Sequence, residues 1–412
     1  MRLGPARDRL DVWTFVRAGE EIACGDPSVS DAERAAAGRE TLSERWQVLL
    51  DVNRSRAAAL YTAGGLPDGE DVARVWCPRD PAALLARLGG EPLTAWAQDD
   101  VLHVLWQGQA NEVQLVAGVQ PRLWPVAGAE GLWEASLRIR RLDEAVITIA
   151  VLPRRAGDGP ARRVPDTLVW RGPRAPADLP CADPVRGALE EHTLDSAALR
   201  APRGVTVYRP PGAEGALPGC VLADGASVPG FAGVLEHAIL AGAVPPVVLV
   251  GVHNAADPAR LWPDRRAQEY MPGFNRARFA AHLRFVTDEV IPWAASRFGV
   301  AERPWVASGF SNGAVWAIAA AQRRPDVFAA VAAFSAGMAL RQIRSEARTA
   351  RVRHYLAAGT LEPGFREPTR QWAERLQRAG LPCQHREWVG GHDQHWWNQQ
   401  LPAALAFVLA PS

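Results

Sequence analysis

The sequence contains no lysine. All 46 basic residues are arginine, and they face 45 acidic residues for a net charge of +1. That balance excludes a nucleic acid or a membrane surface recognised through bulk charge. The chain is also rich in Ala, Gly and Pro and poor in Ile, Asn and Tyr. The arginine excess therefore reads as the bias of a GC-rich genome rather than as an anion site, although guanidinium groups suit flat anions. No apolar run approaches ~18 residues, so no membrane span is expected. The opening stretch MRLGPARDRLDVW has no apolar core and no small-residue cleavage site, so it does not read as a secretory signal. The five cysteines (Cys24, Cys77, Cys181, Cys220 and Cys383) are far apart and form no C-x-x-C pair. They fit reduced thiols in a cytoplasm better than a disulfide framework. No H-E-x-x-H, Walker loop or G-x-G-x-x-G is present, so neither a metal nor another cofactor is expected.

A chain of 412 residues exceeds one average domain. Residues 1–95 read as a helical segment. Trp46, Leu49, Leu50 and Val52 fall near one helical stripe, and 78–88 suggests a second, short helix. Residues 96–175 change texture. Short β-branched or alternating stretches at 101–106, 112–119, 132–142 and 145–152 are separated by Gly and Asn, which suggests a β-sandwich. A polar loop is expected at 154–165. From 176 to 412 strands alternate with helices. That pattern predicts an α/β domain with a mostly parallel sheet covered on both faces, opened by a β-ribbon at 187–192 and 204–208.

The sharpest motif is Gly309-Phe310-Ser311-Asn312-Gly313, a G-x-S-x-G between an apolar stretch (WVAS) and a helical one (AVWAIAAAQRR). In that strand–turn–helix context the pentapeptide predicts a nucleophile elbow, in which glycines make room for a strained serine at a helix N-terminus. A serine nucleophile needs a base. His392 follows two glycines after the strand HREWV, and His395 competes with it. The acid is expected after the preceding strand. Glu362 lies 51 residues after Ser311 and 30 before His392, with Glu367 and Asp393 as alternatives and Asp326 read as structural. Two backbone N–H groups are expected to form an oxyanion hole. One belongs to Asn312, and the other to Ala226 in the turn made by Gly225 after the strand CVLA.

Four patches carry a family resemblance: LADG at 222–225, RAQEY at 266–270, GFSNG at 309–313 and GGHDQHWW at 390–397. They resemble the esterase D superfamily branch that includes enterochelin (ferric siderophore) esterases and feruloyl esterases. The resemblance implies an α/β-hydrolase fold and a triad of Ser311, Glu362 and His392. Trp397 matches a tryptophan recurring five residues after the family histidine. Arg266 and Glu269 match a pair read as a structural or pocket-wall ion pair. Residues 96–170 resemble the immunoglobulin-like N-terminal module of enterochelin esterases, which helps to shape their pocket. Two positions depart from the siderophore pattern. The first oxyanion loop reads GAS rather than GQ-aromatic, and Asn312 stands where many relatives have Phe.

The expectation is a cytoplasmic carboxylic-ester hydrolase acting on a small-molecule ester, of the ferric siderophore esterase type. Trp262, Arg265, Arg266, Trp396 and Trp397 are available to a tri-catecholate substrate. A feruloyl or acetyl esterase acting on carbohydrate is the second reading. A non-catalytic glycan- or partner-binding protein on a hydrolase scaffold is the third.

Overall fold

The computed structural model describes residues 65–66, 68–75, 77, 79–155, 166–255, 265–337 and 352–410, together with short strands at 14–17, 20–23 and 61–62. The helical stripe expected at 46–52 lies outside the described residues, as do Trp262 and residues 156–165 of the polar loop expected at 154–165, whose first residue ends a strand. Within 1–95 the described elements include strands that were not expected, and the short helix expected at 78–88 is present. These elements are strands β1 (Thr14–Arg17), β2 (Glu20–Ala23), β3 (Tyr61–Thr62) and β4 (Val72–Val75), followed by helix α1 (Pro81–Leu88). Helix α1 starts because Asp80 accepts from the amides of Ala82 and Ala83 and Pro81 presets the first turn. It stops at Gly89, whose left-handed conformation (φ 60°) suits glycine.

Seven further strands follow: β5 (Leu93–Gln98), β6 (Val101–Gln107), β7 (Glu112–Leu115), β8 (Arg122–Pro125), β9 (Leu132–Ile139), β10 (Val146–Arg154) and β11 (Asp166–Arg171). With β3 and β4 they form one nine-stranded network in which every pairing except β3–β4 is antiparallel. Strand β4 pairs with β9 as Val72↔Ile139, so this β module begins before residue 96. The change of texture at 96 did not reveal it because β4 is short and isolated between turns. The module has its own core, including Leu102, Val104, Val113, Leu137, Ile147 and Ile149.

The second sheet has eight strands: β12 (Ala188–Ser196), β13 (Ala201–Arg209), β14 (Leu217–Ala223), β15 (Val248–Val252), β16 (Val300–Phe310), β17 (Phe328–Phe334), β18 (Arg353–Gly359) and β19 (Cys383–Trp388). Their order is β12-β13-β15-β14-β16-β17-β18-β19. The sheet is mixed rather than simply parallel. Strands β12 and β13 form the expected antiparallel ribbon, β13 joins β15 antiparallel, and β15 onward is parallel.

Helices α2 (Val228–Leu240), α3 (Arg265–Tyr270), α4 (Arg276–Arg284), α5 (Ile291–Phe298), α6 (Asn312–Arg323), α7 (Pro363–Arg378) and α8 (Gln394–Val408) cover the sheet, with a π-helical stretch at Phe285–Val290 joining α4 to α5. Helix α6 is buried along Asn312–Ala321. Its alanines bring it close to the sheet, and Trp316 fills the core beside Phe328.

The two sheets share cores at one place. Leu361 and Val389, from loops after β18 and β19, pack in the β module's core. Val146 of β10 packs in the hydrolase core with Trp388 and Trp396.

Two core histidines contribute to the acid response of the fold. His282 is fully buried among Tyr270, Phe285 and Trp316, and neither ring nitrogen has a partner among the described residues. Burial pushes its pKa down to about 4, and does the same at His354. An unfolded imidazole titrates near 6.5, so the unfolded chain takes up these protons first. The stability contributed by the neutral rings is complete above pH 6.5 and is lost as pH falls from 6.5 toward 4. The loss is expected to reach roughly 3 kcal/mol per histidine. Urea midpoints measured from pH 7.5 to 4.5 should fall steeply, and a flat profile would contradict this account.

Candidate active site

The carboxyl ends of the parallel strands lie side by side, and each carries one part of the site. Ligands of open α/β sheets bind in the crevice at this edge. Strand β14 ends at Asp224 and a 3₁₀ turn, Gly225–Ser227. Strand β16 ends at Ser311, β17 at Ser335, β18 runs to Glu362 and β19 to His392.

Ser311 stands between β16 and α6 with φ 57° and ψ −126°, a conformation a non-glycine residue adopts only under constraint. Its amide donates to the Phe334 carbonyl at 2.9 Å, which ties the elbow to β17. The flanking glycines are required by space. A Cβ on Gly309 would lie 2.5 Å from backbone atoms of Gly313, and one on Gly313 would lie 2.9 Å from the Ala223 Cβ. The helical bonds begin with Ala314 N–H to the Ser311 carbonyl, so the Asn312 amide belongs to the first-turn donors that an α-helix leaves without an internal acceptor.

Glu362 is 5% exposed and lies on the loop leading into α7. The His392 Nδ1–H donates to its Oε2 at 2.6 Å. Its Oε1 accepts from the Ser335 hydroxyl and the Gly359 amide, each at 2.6 Å. Because the carboxylate only accepts, the Nδ1 proton stays on the imidazole and the lone pair falls to Nε2. Phe365 stacks on the His392 ring at 4.0 Å, and Trp397 meets it edge-on at 4.8 Å. Trp397 also stacks on Phe310 at 4.3 Å, so one indole spans from the residue before Ser311 to His392. The alternatives are engaged elsewhere. Glu367 accepts from Arg370 and Gln371, Asp393 accepts from the Thr148 and His395 amides, and His395 lies 3.0 Å from Asp178. Asp326 pairs with Arg324 near the surface.

Gly225 packs so tightly on β15 that a Cβ would lie 2.3 Å from the Gly251 carbonyl. Ala226, next in this turn, is exposed. Asp224 is left-handed (φ 62°), and its buried carboxylate is gripped by both Nε and Nη2 of Arg266 and by the Nδ2 of the Asn254 side chain. Its own amide donates to the Tyr270 hydroxyl at 2.8 Å. Burial first, and the nearby Asp224 charge second, hold the Tyr270 phenol well above its usual pKa, so it stays neutral.

This wiring corrects the expected Arg266–Glu269 pair. Arg266 holds Asp224, while Glu269 is bound by Arg203 of β13 through two bonds of 2.7 and 2.8 Å. The family resemblance suggested a pair, but both side chains point to deeper partners. Trp396 and Trp397 are also framework rather than open pocket wall. Each is 6% exposed, and their indole N–H groups donate to the Val146 carbonyl and the Ser335 hydroxyl respectively. Arg265 lies at the exposed start of α3.

Ser335 and Phe365 were not anticipated. Ser335 takes a left-handed conformation (φ 54°) at the end of β17 and relays from the Trp397 N–H to Glu362. A serine following an apolar strand was the available signal, but its conformation comes from tertiary contacts. No group of metal-ligating side chains forms among the described residues. No described helix is long and apolar enough to cross a membrane.

A strained serine elbow beside a buried His–carboxylate pair, at the carboxyl edge of this sheet, is the arrangement of an α/β-hydrolase-like serine ester hydrolase. Residues 196–408 match the model of the Esterase family, and the chain belongs to that family. Its structure is similar to enterochelin esterase from Shigella flexneri, with 17% identity, a TM-score of 0.59, and coverage of 79% of this chain and 97% of that one. It is also similar to ferric enterobactin esterase from Salmonella typhimurium, with 16% identity, a TM-score of 0.57, and coverage of 79% and 98%. At these identities the likeness is one of fold. Comparison with curated proteins gives no match.

Two substitutions test the framework. Ser335→Ala strands the Trp397 N–H and removes a donor to Glu362, so the unfolding free energy should fall by about 1–3 kcal/mol. Glu269→Ala leaves the Arg203 guanidinium buried and unpaired, at an expected cost of about 3–5 kcal/mol. Denaturant unfolding of both variants checks the order, and a Glu269→Ala protein as stable as wild type would contradict it.

Proposed function

We propose that the protein hydrolyses carboxylic esters with Ser311 as nucleophile, His392 as general base and Glu362 as the acid that orients it. The observation that carries this reading is the 2.6 Å bond from His392 Nδ1–H to Glu362, which leaves Nε2 to accept a proton. His392 takes the Ser311 hydroxyl proton as the oxygen attacks the ester carbonyl. The oxyanion that forms is met by the amides of Asn312 and Ala226, with Gly225 supplying the turn. The imidazolium then gives its proton to the leaving alcohol, and a water repeats the sequence to release the acid and free Ser311. Glu362 stabilises the imidazolium in both halves.

We read the substrate as a ferric siderophore ester of the enterochelin type, and the site of action as the cytoplasm. The likeness to enterochelin esterase covers 79% of this chain, more than the stretch 196–408 that matches the Esterase family. That extent favours the siderophore reading over a feruloyl or acetyl esterase. The ordered Glu362–His392 pair favours an enzyme over a non-catalytic scaffold.

Wild type should hydrolyse p-nitrophenyl acetate, Ser311→Ala should have no measurable turnover, and Glu362→Gln should lose on the order of 10³–10⁴ in kcat. A fully active Ser311→Ala protein would refute the mechanism. Release of catechol-bearing serine from a ferric tri-catecholate ester, compared with release of ferulate from a feruloylated sugar, separates the substrate classes.

A further inference from the structure

His392 is held in place from outside the hydrolase sheet. Its amide donates to the Gly118 carbonyl at 2.9 Å, and its carbonyl accepts from the Gly118 amide at 3.1 Å. This two-bond bridge joins the loop after β19 to the loop after β7. Three further bonds flank it. The Val146 amide donates to the Val389 carbonyl at 3.1 Å, the Thr148 amide to Asp393 Oδ2 at 3.0 Å, and the Trp396 indole to the Val146 carbonyl at 3.0 Å.

The approach leaves no room for side chains. A Cβ on Gly391 would lie 2.2 Å from Gly118 backbone atoms. Gly118 is left-handed (φ 61°), and a Cβ there would lie 2.4 Å from the Thr148 carbonyl oxygen. Asp393 has no spare acceptor role to lose, since its other oxygen caps α8 through the His395 amide at 2.8 Å.

We propose that the β module is a working part of the catalytic centre, with Gly118 and Asp393 as positioning residues that fix the His392 main chain. The inference rests on the reading of His392 as the base. Glu362 sets the direction of the ring through Nδ1. The bridge to Gly118 sets the position of the Cα from which the ring hangs. A carboxylate alone cannot do both, because Glu362 is anchored by Ser335 and Gly359 and holds the ring at one atom, so a loop freed from Gly118 would let the ring pivot about that bond and carry Nε2 away from Ser311. A shift on the order of 1 Å in a catalytic group costs about 10²-fold in rate.

The test uses the full chain and p-nitrophenyl acetate. Gly118→Ala forces a side chain into the bridge, and Asp393→Asn leaves one oxygen to serve two amides without adding an atom. Both are expected to lower kcat on the order of 10- to 100-fold with KM unchanged. The downfield proton resonance of the His392 Nδ1–H, identified by its absence in His392→Ala, is expected to broaden or vanish in both. Leu137→Ala, a cavity in the β module's core where β9 pairs with β4 and β6, is expected to lower Tm and keep both kcat and the resonance. If Gly118→Ala fails to fold, Asp393→Asn decides the matter.

Wild-type kcat and an intact resonance in the folded variants would overturn the proposal. An equal kcat loss in Leu137→Ala would overturn it too, since general destabilisation would then suffice. Ser311→Ala and His392→Ala tell the two levels apart. Their inactivity sustains the reading of the base on its own, whatever Gly118 does. Their activity would bring down that reading and this inference with it.

Discussion

The Glu362 carboxylate is buried at the rim of the eight-stranded sheet and accepts from Ser335, Gly359 and His392. A carboxylate withdrawn from water is tolerable only when donors replace its hydration. Here they come from the end of β17, the end of β18 and the loop after β19. Satisfying one charge thus registers three neighbouring strand ends against each other. Ser335 is drawn into a left-handed turn, Trp397 is drawn onto Ser335, and the same indole reaches Phe310 beside the elbow. The rest of the site is arranged around this one demand for donors.

A second buried network supports the opposite side of Ser311. Asp224 is fixed by Arg266 and Asn254, and Glu269 by Arg203. Both are two-pronged guanidinium–carboxylate pairs, a geometry that lysine cannot supply. They make the turn at Gly225 and the start of α6 parts of one rigid block, because Asp224 Oδ2 would lie 3.4 Å from a Cβ on Gly313. Rigidity of this kind suits the oxyanion role proposed for the Asn312 and Ala226 amides, since such donors must already point at a developing charge.

The positions legible in the sequence were those whose local chemistry leaves few options. Ser311 stood out because glycines at 309 and 313 mark a turn no other residue permits, and His392 because two glycines precede it after a strand. Glu362 followed from chain order. What stayed hidden was decided by distant partners. Ser335 has an unremarkable local sequence, and its φ is imposed by β18 and Trp397. Arg266 and Glu269 resemble a family pair, yet Arg266 is claimed by Asp224 after β14 and Glu269 by Arg203 of β13. The tryptophans at 396 and 397 looked like a substrate surface because aromatic residues serve packing and binding alike. The N-terminal strands were missed because two to four residues carry too little periodicity to register.

The bridge between Gly118 and His392 also bears on the order in which the molecule assembles. Its two halves are separated by most of the chain, and the Thr148–Asp393 bond beside it spans 245 positions. Contacts of such separation bear the largest loop-closure cost and form after local structure is in place. The β module and the hydrolase sheet each have a core of their own. A chain in which both have condensed but have not yet docked would carry native secondary structure and a misplaced His392. Gain of activity during refolding should therefore lag behind gain of structure, and the lag measures the docking step.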